Sequence, residues 1–275
     1  SWIDRRTLEF NYPGILNNWT KNDRIQDWVR ERASLNIKKS DNSQQRHPYE
    51  PCYLFESGII PLASYPVKGV IWYQGESNAH NKEIHEILFP LLVDSWRKNW
   101  NKEFPFYYVQ LSGLNRPSWP HFRDSQRRLE KIIPGSGMVV SSDLGDSLDV
   151  HPKRKQEVGE RLARLALNKT YGKDIVPSGP QYKESEFKNG YALISFDYAN
   201  GLRASDDKDL RSFEIAEFDG LYFPAKAIVE GDKIKVWNDK VKHPRFVRYG
   251  WAPYTNGNLV NRELLPASTF TSSDN

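Results

Sequence analysis

Two dense polar runs each follow a short apolar segment, and both carry groups suited to acid–base chemistry. The first run is QGESN at 74–78, directly after the apolar residues 70–73. The second run is SSDLGDSLDVHP at 141–152, directly after MVV. The titratable side chains of the second run are Asp143, Asp146, Asp149 and His151. A histidine beside a carboxylate is how a general base is commonly built, because the acid orients the ring and stabilises the imidazolium.

Each run also has a simpler interpretation. Gly, Ser and Asn serve readily as turn and cap residues, so 74–78 suits an ordinary turn that leads into the next helix. His151 suits a surface or capping position, and the aspartates suit loops, where their side chains bond to nearby backbone N–H groups. Two such runs at one edge of a sheet would favour a functional site over these turn, cap and loop interpretations.

The elements around these runs alternate between strand and helix. Apolar runs predict buried strands at 69–74, 104–111 and 138–142, and 3.6-residue spacing predicts helices at 22–38, 81–100, 121–132 and 151–167, with Pro152 in the first turn of the last helix. This alternation is typical of a parallel sheet with helices on both faces. Such sheets place their working residues beyond the carboxyl ends of the strands, so we expect both polar runs to meet there.

The sequence pattern changes after about residue 175. Residues 181–250 contain short alternating strands, separated by turn pairs such as Asn200-Gly201 and Asp219-Gly220. This pattern predicts an antiparallel β unit. Its aromatic residues are expected to fill a core rather than to form a sugar-binding platform. They are Tyr191, Phe196, Tyr198, Phe213, Phe218, Tyr222, Phe223 and Trp237.

Composition excludes several classes of protein. The net charge is only +4 and the basic residues are spread along the chain, which argues against nucleic acid as a partner. No apolar stretch approaches the ~20 residues that a membrane span needs. The single cysteine, Cys52, allows no intrachain disulfide, and no two of the six histidines have i,i+4 spacing. We therefore expect no metal site and no cofactor.

Several motifs resemble the sialate O-acetylesterase group of SGNH-type hydrolases. They are PVKGVIWYQGESNA at 66–79, LFPLLVDSWRKNW at 88–100, FRDSQ at 122–126, GMVVSSDLGDSLDVHPKRKQEVGERLARLAL at 137–167 and FVRYGWAPYTNGNLVNRELLPASTF at 246–270. The resemblance runs over nearly all of the chain. The WYQGES and DVHP blocks, in this order, are its most specific parts.

The resemblance implies a serine esterase that removes O-acetyl groups from sugars, with sialic acid the first candidate and acetylxylan-type substrates an alternative. It implies a flavodoxin-like, three-layer α/β domain over residues 1–174 and a β-sandwich-like unit over 175–275, whose last segment returns to the α/β domain. His151 matches the catalytic base. The block that lines the oxyanion side of the site matches Gln74, Gly75, Glu76 and Asn78. An amide side chain or a glycine N–H can stabilise an oxyanion, whereas ionised Glu76 suits bracing of the turn or substrate binding.

Two departures from the family pattern leave alternatives open. The acid that often stands three positions before the histidine is replaced by Leu148. Asp149 is the preferred orienting acid, Asp146 and Asp143 are rivals, and a Ser–His dyad helped by a backbone carbonyl is a further option. The usual Gly-x-Asn-Asp block is replaced by residues 75–78, which leaves the oxyanion role of Asn78 open.

The third departure concerns the nucleophile. The family carries its serine in a Gly-Gln-Ser-Asn-like motif after the first strand, and no such motif occurs here. Ser77 lies in the oxyanion block and Ser136 precedes a strand, so neither matches. The opening SWIDRRTLEF resembles a segment that follows the nucleophile. We expect the first strand and the serine to come from an N-terminal segment or a second chain, and residues 1–275 alone to be nearly inactive.

Two other function classes compete with the esterase. A non-catalytic carbohydrate-binding protein would use the β unit to bind sugar and keep the α/β part as a scaffold. A glycosidase would use Glu76 with Asp149 and needs its two carboxyl groups ~5–9 Å apart across a sugar cleft. The resemblance further implies export to a periplasm or out of the cell, and an acetylated sugar as the partner.

Overall fold

A computed structural model describes residues 1–42 and 44–273 of the chain. Its residues fall into two compact units, one made of 1–68 with 87–104 and the other of 69–86 with 105–275. No helix of the described residues is both long and apolar enough to cross a membrane.

The first unit is mainly helical. Helix α1 (Arg5–Asn11) begins after Asp4, whose carboxylate accepts the N–H of Thr7 at 2.9 Å and so caps the helix. Helix α2 spans Asp27–Ile37, so the helix predicted at 22–38 begins about one turn later than expected. The buried Ser95 accepts the backbone N–H of Asp4 at 3.0 Å and fixes this cap.

In the second unit, three short strands form a parallel sheet. They are β1 (Val70–Trp72), β2 (Phe106–Val109) and β3 (Ser136–Val139), and β2 lies between the other two. The prediction of a parallel sheet from strand–helix alternation is confirmed, with each strand shorter than its apolar run. All three carboxyl ends point to one edge, which is where both polar runs leave the sheet.

Helices α3 (Lys82–Trp100), α4 (Trp119–Ile132) and α5 (Lys155–Lys169) separate and follow these strands. On one face of β2, Tyr107 and Val109 pack with Val158, Leu162 and Leu165 of α5. On the other face, the Tyr108 hydroxyl donates to the carbonyl of Gln126 in α4 at 2.7 Å. Successive strand residues point to opposite faces, so α4 and α5 cover opposite sides of β2.

The start of α5 differs from the prediction. The helix begins at Lys155, so Pro152 precedes it and does not occupy its first turn. Residues 151–154 form a bend instead, and His151 therefore lies in a loop rather than at a helix start. A proline can occur in such a loop as readily as at the first helical position, because it lacks the N–H that either setting would leave unpaired.

The remaining strands are antiparallel, as predicted. They are β4 (Gln181–Lys188), β5 (Tyr191–Asp197), β6 (Arg203–Ala204), β7 (Phe213–Ala216), β8 (Phe223–Glu230), β9 (Lys233–Trp237), β10 (Phe246–Tyr249), β11 (Leu259–Val260) and β12 (Phe270–Thr271). Seven of them form one sheet in the order β12-β10-β7-β8-β9-β5-β4, and β11 pairs with β6. Phe196 and Phe213 are core residues as expected, but Phe218 is 86% exposed because it lies in the loop after β7.

Candidate functional site

The turn after β1 depends on a glycine. Gly75 has a φ of +148°, a conformation that side chains with a Cβ rarely adopt. A Cβ at this position would also lie 3.0 Å from Cε1 of Phe122 in α4. The chain therefore leaves the strand through a backbone conformation that only glycine fits, and a single helical turn, Glu76–Asn78, follows it.

Glu76 closes this turn. Its Oε2 accepts the backbone N–H of Gly75 at 3.0 Å. The backbone N–H of Asn78 donates to the Gly75 carbonyl at 2.8 Å, which ties the two ends of the turn together. The Gly75 N–H, one of the predicted oxyanion donors, is thus engaged by a carboxylate in this structure. Gln74 is half-buried at the end of the strand.

Asn78 contacts a residue that the sequence did not single out. The Asn78 side-chain nitrogen lies 3.4 Å from Nδ1 of His85, in the first turn of α3. His85 is 4% exposed, and its ring centroid lies 4.6 Å from that of Phe122. Burial lowers the pKa of His85 to about 4, so this imidazole is neutral at neutral pH.

The second polar run forms the loop between β3 and α5. Asp149 Oδ1 accepts the backbone N–H of His151 at 2.8 Å and lies 3.6 Å from Nδ1 of the same residue. The His151 side chain is 87% exposed and that of Asp149 is about half exposed. Asp149 is therefore next to the ring it was predicted to orient, at a distance slightly longer than a hydrogen bond.

The two rival aspartates have other partners. Asp146 Oδ1 accepts the backbone N–H of Leu148 at 2.8 Å and that of Asp149 at 3.3 Å, and these two bonds lower the pKa of Asp146. Asp143 forms a two-point ion pair with Arg161 of α5. Both carboxylates therefore shape the loop, and Asp149 is the acid with a contact to the imidazole.

Both polar runs lie at the carboxyl edge of the parallel sheet. Tyr73, the residue after β1, packs against the same apolar cluster as Val150, the residue before His151. Lys155, four residues after His151, places its Nζ 4.9 Å from the centroid of the Tyr73 ring. The structure thus brings the neighbours of both runs together, and it shows no direct hydrogen bond between His151 and residues 74–78 among the described contacts.

The loops at this edge are closely packed. A Cβ on Gly145 would lie 2.3 Å from the carbonyl oxygen of Gly113, in the loop after β2. The Ser141 hydroxyl donates to the Gln110 carbonyl at 2.7 Å, and the Trp119 indole N–H donates to the Ser112 carbonyl at 2.8 Å. The loops after β2 and β3 therefore hold each other in place, which suits a site that must be preorganised.

Two buried side chains of α4 support the same edge. Gln126 Oε1 accepts the N–H of Leu111 at 2.8 Å, just beyond the end of β2. The guanidinium of the fully buried Arg123 donates to the carbonyls of Gly250, Ala252 and Pro253 and to the Thr269 hydroxyl. The motif FRDSQ contains both residues. The sequence does not predict their partners, because those partners are 15 to 146 positions away.

Comparison with known proteins supplies the family. Residues 24–168 match the model of a carbohydrate esterase family described as sialic acid-specific acetylesterase. Sialate O-acetylesterase of Mus musculus is 29% identical over an alignment of 250 positions that covers 78% of this chain and 45% of that protein. The Rattus norvegicus sialate O-acetylesterase is 31% identical over an alignment of 249 positions, which also covers 78% of this chain and 45% of that protein.

A solved structure agrees with these relatives. The crystal structure of a carbohydrate acetylesterase from Xanthomonas citri has a TM-score of 0.74 and 36% sequence identity to this chain. It is matched over 78% of this chain and 52% of that one. The chain therefore spans about half the length of the relatives it matches.

Proposed function

Because the chain belongs to the family of sialic acid-specific carbohydrate acetylesterases, we propose that it hydrolyses O-acetyl esters of sialic acid or a related acetylated sugar. The observation that carries this proposal is the convergence of two polar runs at one edge of a parallel sheet. One run supplies a histidine with a neighbouring carboxylate, and the other supplies a glycine turn with amide donors. This combination serves acyl transfer, which needs a base and an oxyanion site.

In the proposed reaction, His151 accepts the proton of a serine hydroxyl as the serine oxygen attacks the acetyl carbonyl carbon. The carbonyl oxygen becomes an oxyanion next to residues 74–78. As the C–O bond to the sugar breaks, His151 returns the proton to the leaving hydroxyl, and water then releases acetate by the same steps in the acyl-enzyme. Asp149 stabilises the imidazolium, and a small rotation of the exposed ring shortens its 3.6 Å separation.

The oxyanion donors in this proposal come chiefly from side-chain amides. The Gly75 N–H donates to Glu76 in the structure, so it can serve an oxyanion only if that carboxylate moves. Asn78 presents an amide from the end of the same turn, and Gln74 presents another from the end of β1. Removal of one such donor typically costs ~3–4 kcal/mol of transition-state stabilisation.

We propose that the nucleophile comes from outside residues 1–275, on a segment that adds a strand to the sheet and completes a flavodoxin-like layer. Two observations support this. Within the described residues, no strand pairs with the outer edge of β1, and Ile71 in that strand is 67% exposed. Parallel sheets are normally covered on both faces and carry buried apolar strands, so an exposed Ile at the edge favours an added strand.

The antiparallel part is proposed to support the site and not to carry its chemistry. Its apolar side chains form a core of their own. Arg123 donates to the carbonyl of Gly250 in the loop at 250–253, and the N–H of Leu114 donates to the carbonyl of Pro253 in the same loop. The proposal includes a domain boundary near residue 174, which falls between the end of α5 and the start of β4. A periplasmic or extracellular location is likewise part of the proposal and rests on the family resemblance.

The test is acetate release from an O-acetylated sialic acid by a chain extended at its N-terminus with a segment that carries a strand and a Gly-Gln-Ser-type turn. His151→Ala in that enzyme should lower kcat by at least ~10³, as loss of a triad base does. A variant that keeps more than about a tenth of the rate would remove His151 from the role of base. Sugar binding without turnover in the unmutated extended enzyme would favour the carbohydrate-binding alternative.

A further inference from the structure

Asn78 and His85 are joined across the junction between the turn and helix α3. Asn78 ends the single helical turn after Gly75, and its carbonyl accepts the N–H of Asn81 at 2.9 Å. Asn81 then caps α3, because its Oδ1 accepts the N–H of Ile84 at 3.1 Å. This folding places His85 beside Asn78, with Nδ1 facing the Asn78 side-chain nitrogen at 3.4 Å.

The surroundings of His85 hold its ring in one place. The ring packs at a tilt of 49° against Phe122, which is itself fully buried and lies against Gly75. With the Asn78 amide in this orientation, its side-chain nitrogen donates, so Nδ1 accepts and the proton of the neutral ring is on Nε2. Burial, which lowers the pKa of His85 to about 4, keeps this form neutral over the range in which esterases work.

We propose that His85 is a positioning residue for the esterase reaction, one that fixes the Asn78 amide by accepting one of its two N–H groups at Nδ1. The proposal rests on the proposed function, in which Asn78 is on the oxyanion side of the site. An amide can take two orientations that exchange its oxygen and nitrogen, and its hydrogen-bond partners decide between them. An acceptor on one N–H selects one orientation and leaves the second N–H for the oxyanion.

This arrangement matters because an oxyanion donor acts by being oriented before charge develops. Because the Gly75 N–H donates to Glu76, the amide of Asn78 contributes more of the oxyanion stabilisation in this proposal. The His85–Asn78 contact supplies orientation without adding charge near the oxyanion. A lysine or an arginine at position 85 would be unable to accept from the amide at all.

Three substitutions distinguish the role of the His85 hydrogen-bond acceptor from the role of its ring packing. In the N-terminally extended enzyme, His85→Phe keeps a ring against Phe122 and removes the acceptor. His85→Asn keeps an acceptor close to the position of Nδ1, and His85→Gln moves it toward the position of Nε2. We expect kcat to fall ~10–100-fold in His85→Phe and His85→Gln with KM nearly unchanged, and to recover to within about fivefold of wild type in His85→Asn. His243→Phe, at an exposed histidine of the antiparallel part, is the matched control and should leave kcat unchanged.

A second experiment needs no turnover and uses the same N-terminally extended chain. Nitrogen-15 NMR of the histidine rings should show Nδ1 of His85 unprotonated and Nε2 protonated at pH 7. In Asn78→Asp a carboxylate replaces the amide, so the proton should shift to Nδ1 and the pKa of His85 should rise. A protonated Nδ1 in the wild type, or no response to Asn78→Asp, would overturn the contact.

Different results would contradict the positioning role of His85 and the proposed esterase function. If His85→Phe keeps the wild-type kcat and KM in an active enzyme, the positioning role is wrong and the proposed function stands. If Asn78→Ala and the double variant Asn78→Ala/His85→Phe lose the same amount of kcat, the two residues act as one unit, as expected. Independent, additive losses would contradict it. If the unmutated extended enzyme releases no acetate while the NMR contact is present, the proposed function is what fails.

Discussion

Asp143 and Arg161 form a two-point ion pair that links the loop after β3 to helix α5. Arg161 Nη1 donates to Asp143 Oδ1 at 2.7 Å and Nη2 donates to Oδ2 at 2.6 Å, and Nη1 also donates to the Val140 carbonyl. Both oxygens of Asp143 are therefore occupied by one guanidinium. Bidentate pairs of this kind are among the stronger hydrogen-bonded contacts in proteins, so Asp143 is a structural residue of the loop.

This pairing predicts different results for two aspartates. In the extended enzyme, Asp149→Asn should lower kcat by about tenfold or more, because the imidazolium loses its neighbouring carboxylate. Asp143→Asn should leave kcat within a few-fold and lower the free energy of unfolding by about 1–2 kcal/mol, since its partner is Arg161. Steady-state kinetics and urea unfolding of both variants provide the measurement. A large loss of kcat in Asp143→Asn alone would make Asp143 the orienting acid.

Gly75 should tolerate no side chain. Gly75→Ala is expected to lower the free energy of unfolding by about 1–3 kcal/mol, because the φ of +148° is strained for alanine and the new Cβ meets Phe122. Gly159→Ala is the matched control. Gly159 lies inside α5 with open space around a new Cβ, so alanine should stabilise the protein by up to about 1 kcal/mol. Equal effects in the two variants would show that the turn is not constrained as described.

Arg123 should be among the most sensitive positions for stability. Burial lowers its pKa to about 9, so it remains charged at neutral pH, and it supplies the donors for three carbonyls and one hydroxyl. Arg123→Met should cost about 3–5 kcal/mol, because buried acceptors are left without partners. Arg154→Met removes an exposed arginine paired with Glu157 and should cost less than about 1 kcal/mol. A small effect in urea unfolding of Arg123→Met would contradict the anchoring role.

His85 should make stability depend on pH in a defined direction. Its folded pKa of about 4 lies below the ordinary value of 6.5, so the unfolded chain binds a proton more readily between these two values. The stability that the neutral ring provides is therefore complete above pH 6.5 and is lost as the pH falls toward 4. The loss at this one group is on the order of 3 kcal/mol.

The comparison of wild type with His85→Phe isolates the contribution of His85 to the pH dependence of stability, since the two proteins share their other titrating groups. Guanidinium unfolding at pH 7.5 and pH 4.5 should show a larger loss for the wild type than for the variant. Parallel losses in the two proteins would mean that His85 is not buried in its neutral form.

The sequence predicted the parts of the fold that local patterns control. Strand–helix alternation from 69 to 168 predicted the parallel sheet, and alternating short strands with Gly turns predicted the antiparallel part. Boundaries were less accurate, because short apolar runs extend past the residues that pair: the run at 104–111 yields a strand of only four residues. Pro152 suggested a helix start that falls at Lys155, since proline is equally compatible with the preceding loop.

The roles of the site residues stay a prediction, and the contacts around them were not predicted. Glu76, Asn78, Asp149 and His151 were singled out because polar residues follow apolar runs, and the structure places both runs at one edge. The partners that organise them were missed: His85 seven residues after Asn78, Arg161 eighteen after Asp143, and Arg123 in α4. A histidine or an arginine in an amphipathic helix resembles an ordinary solvated residue in sequence, and its burial follows only from the packing of distant segments.

The most direct test of the account compares acetate release by residues 1–275 with release by the N-terminally extended chain. A histidine base without a nucleophile gives only a small part of the rate enhancement of a serine hydrolase. We expect the extended chain to turn over an O-acetylated sialic acid or p-nitrophenyl acetate at ordinary esterase rates, ~1–10³ s⁻¹, and residues 1–275 to be nearly inactive. If residues 1–275 alone reach those rates, the nucleophile is within this chain, and Ser77 and Ser136 become the candidates for it.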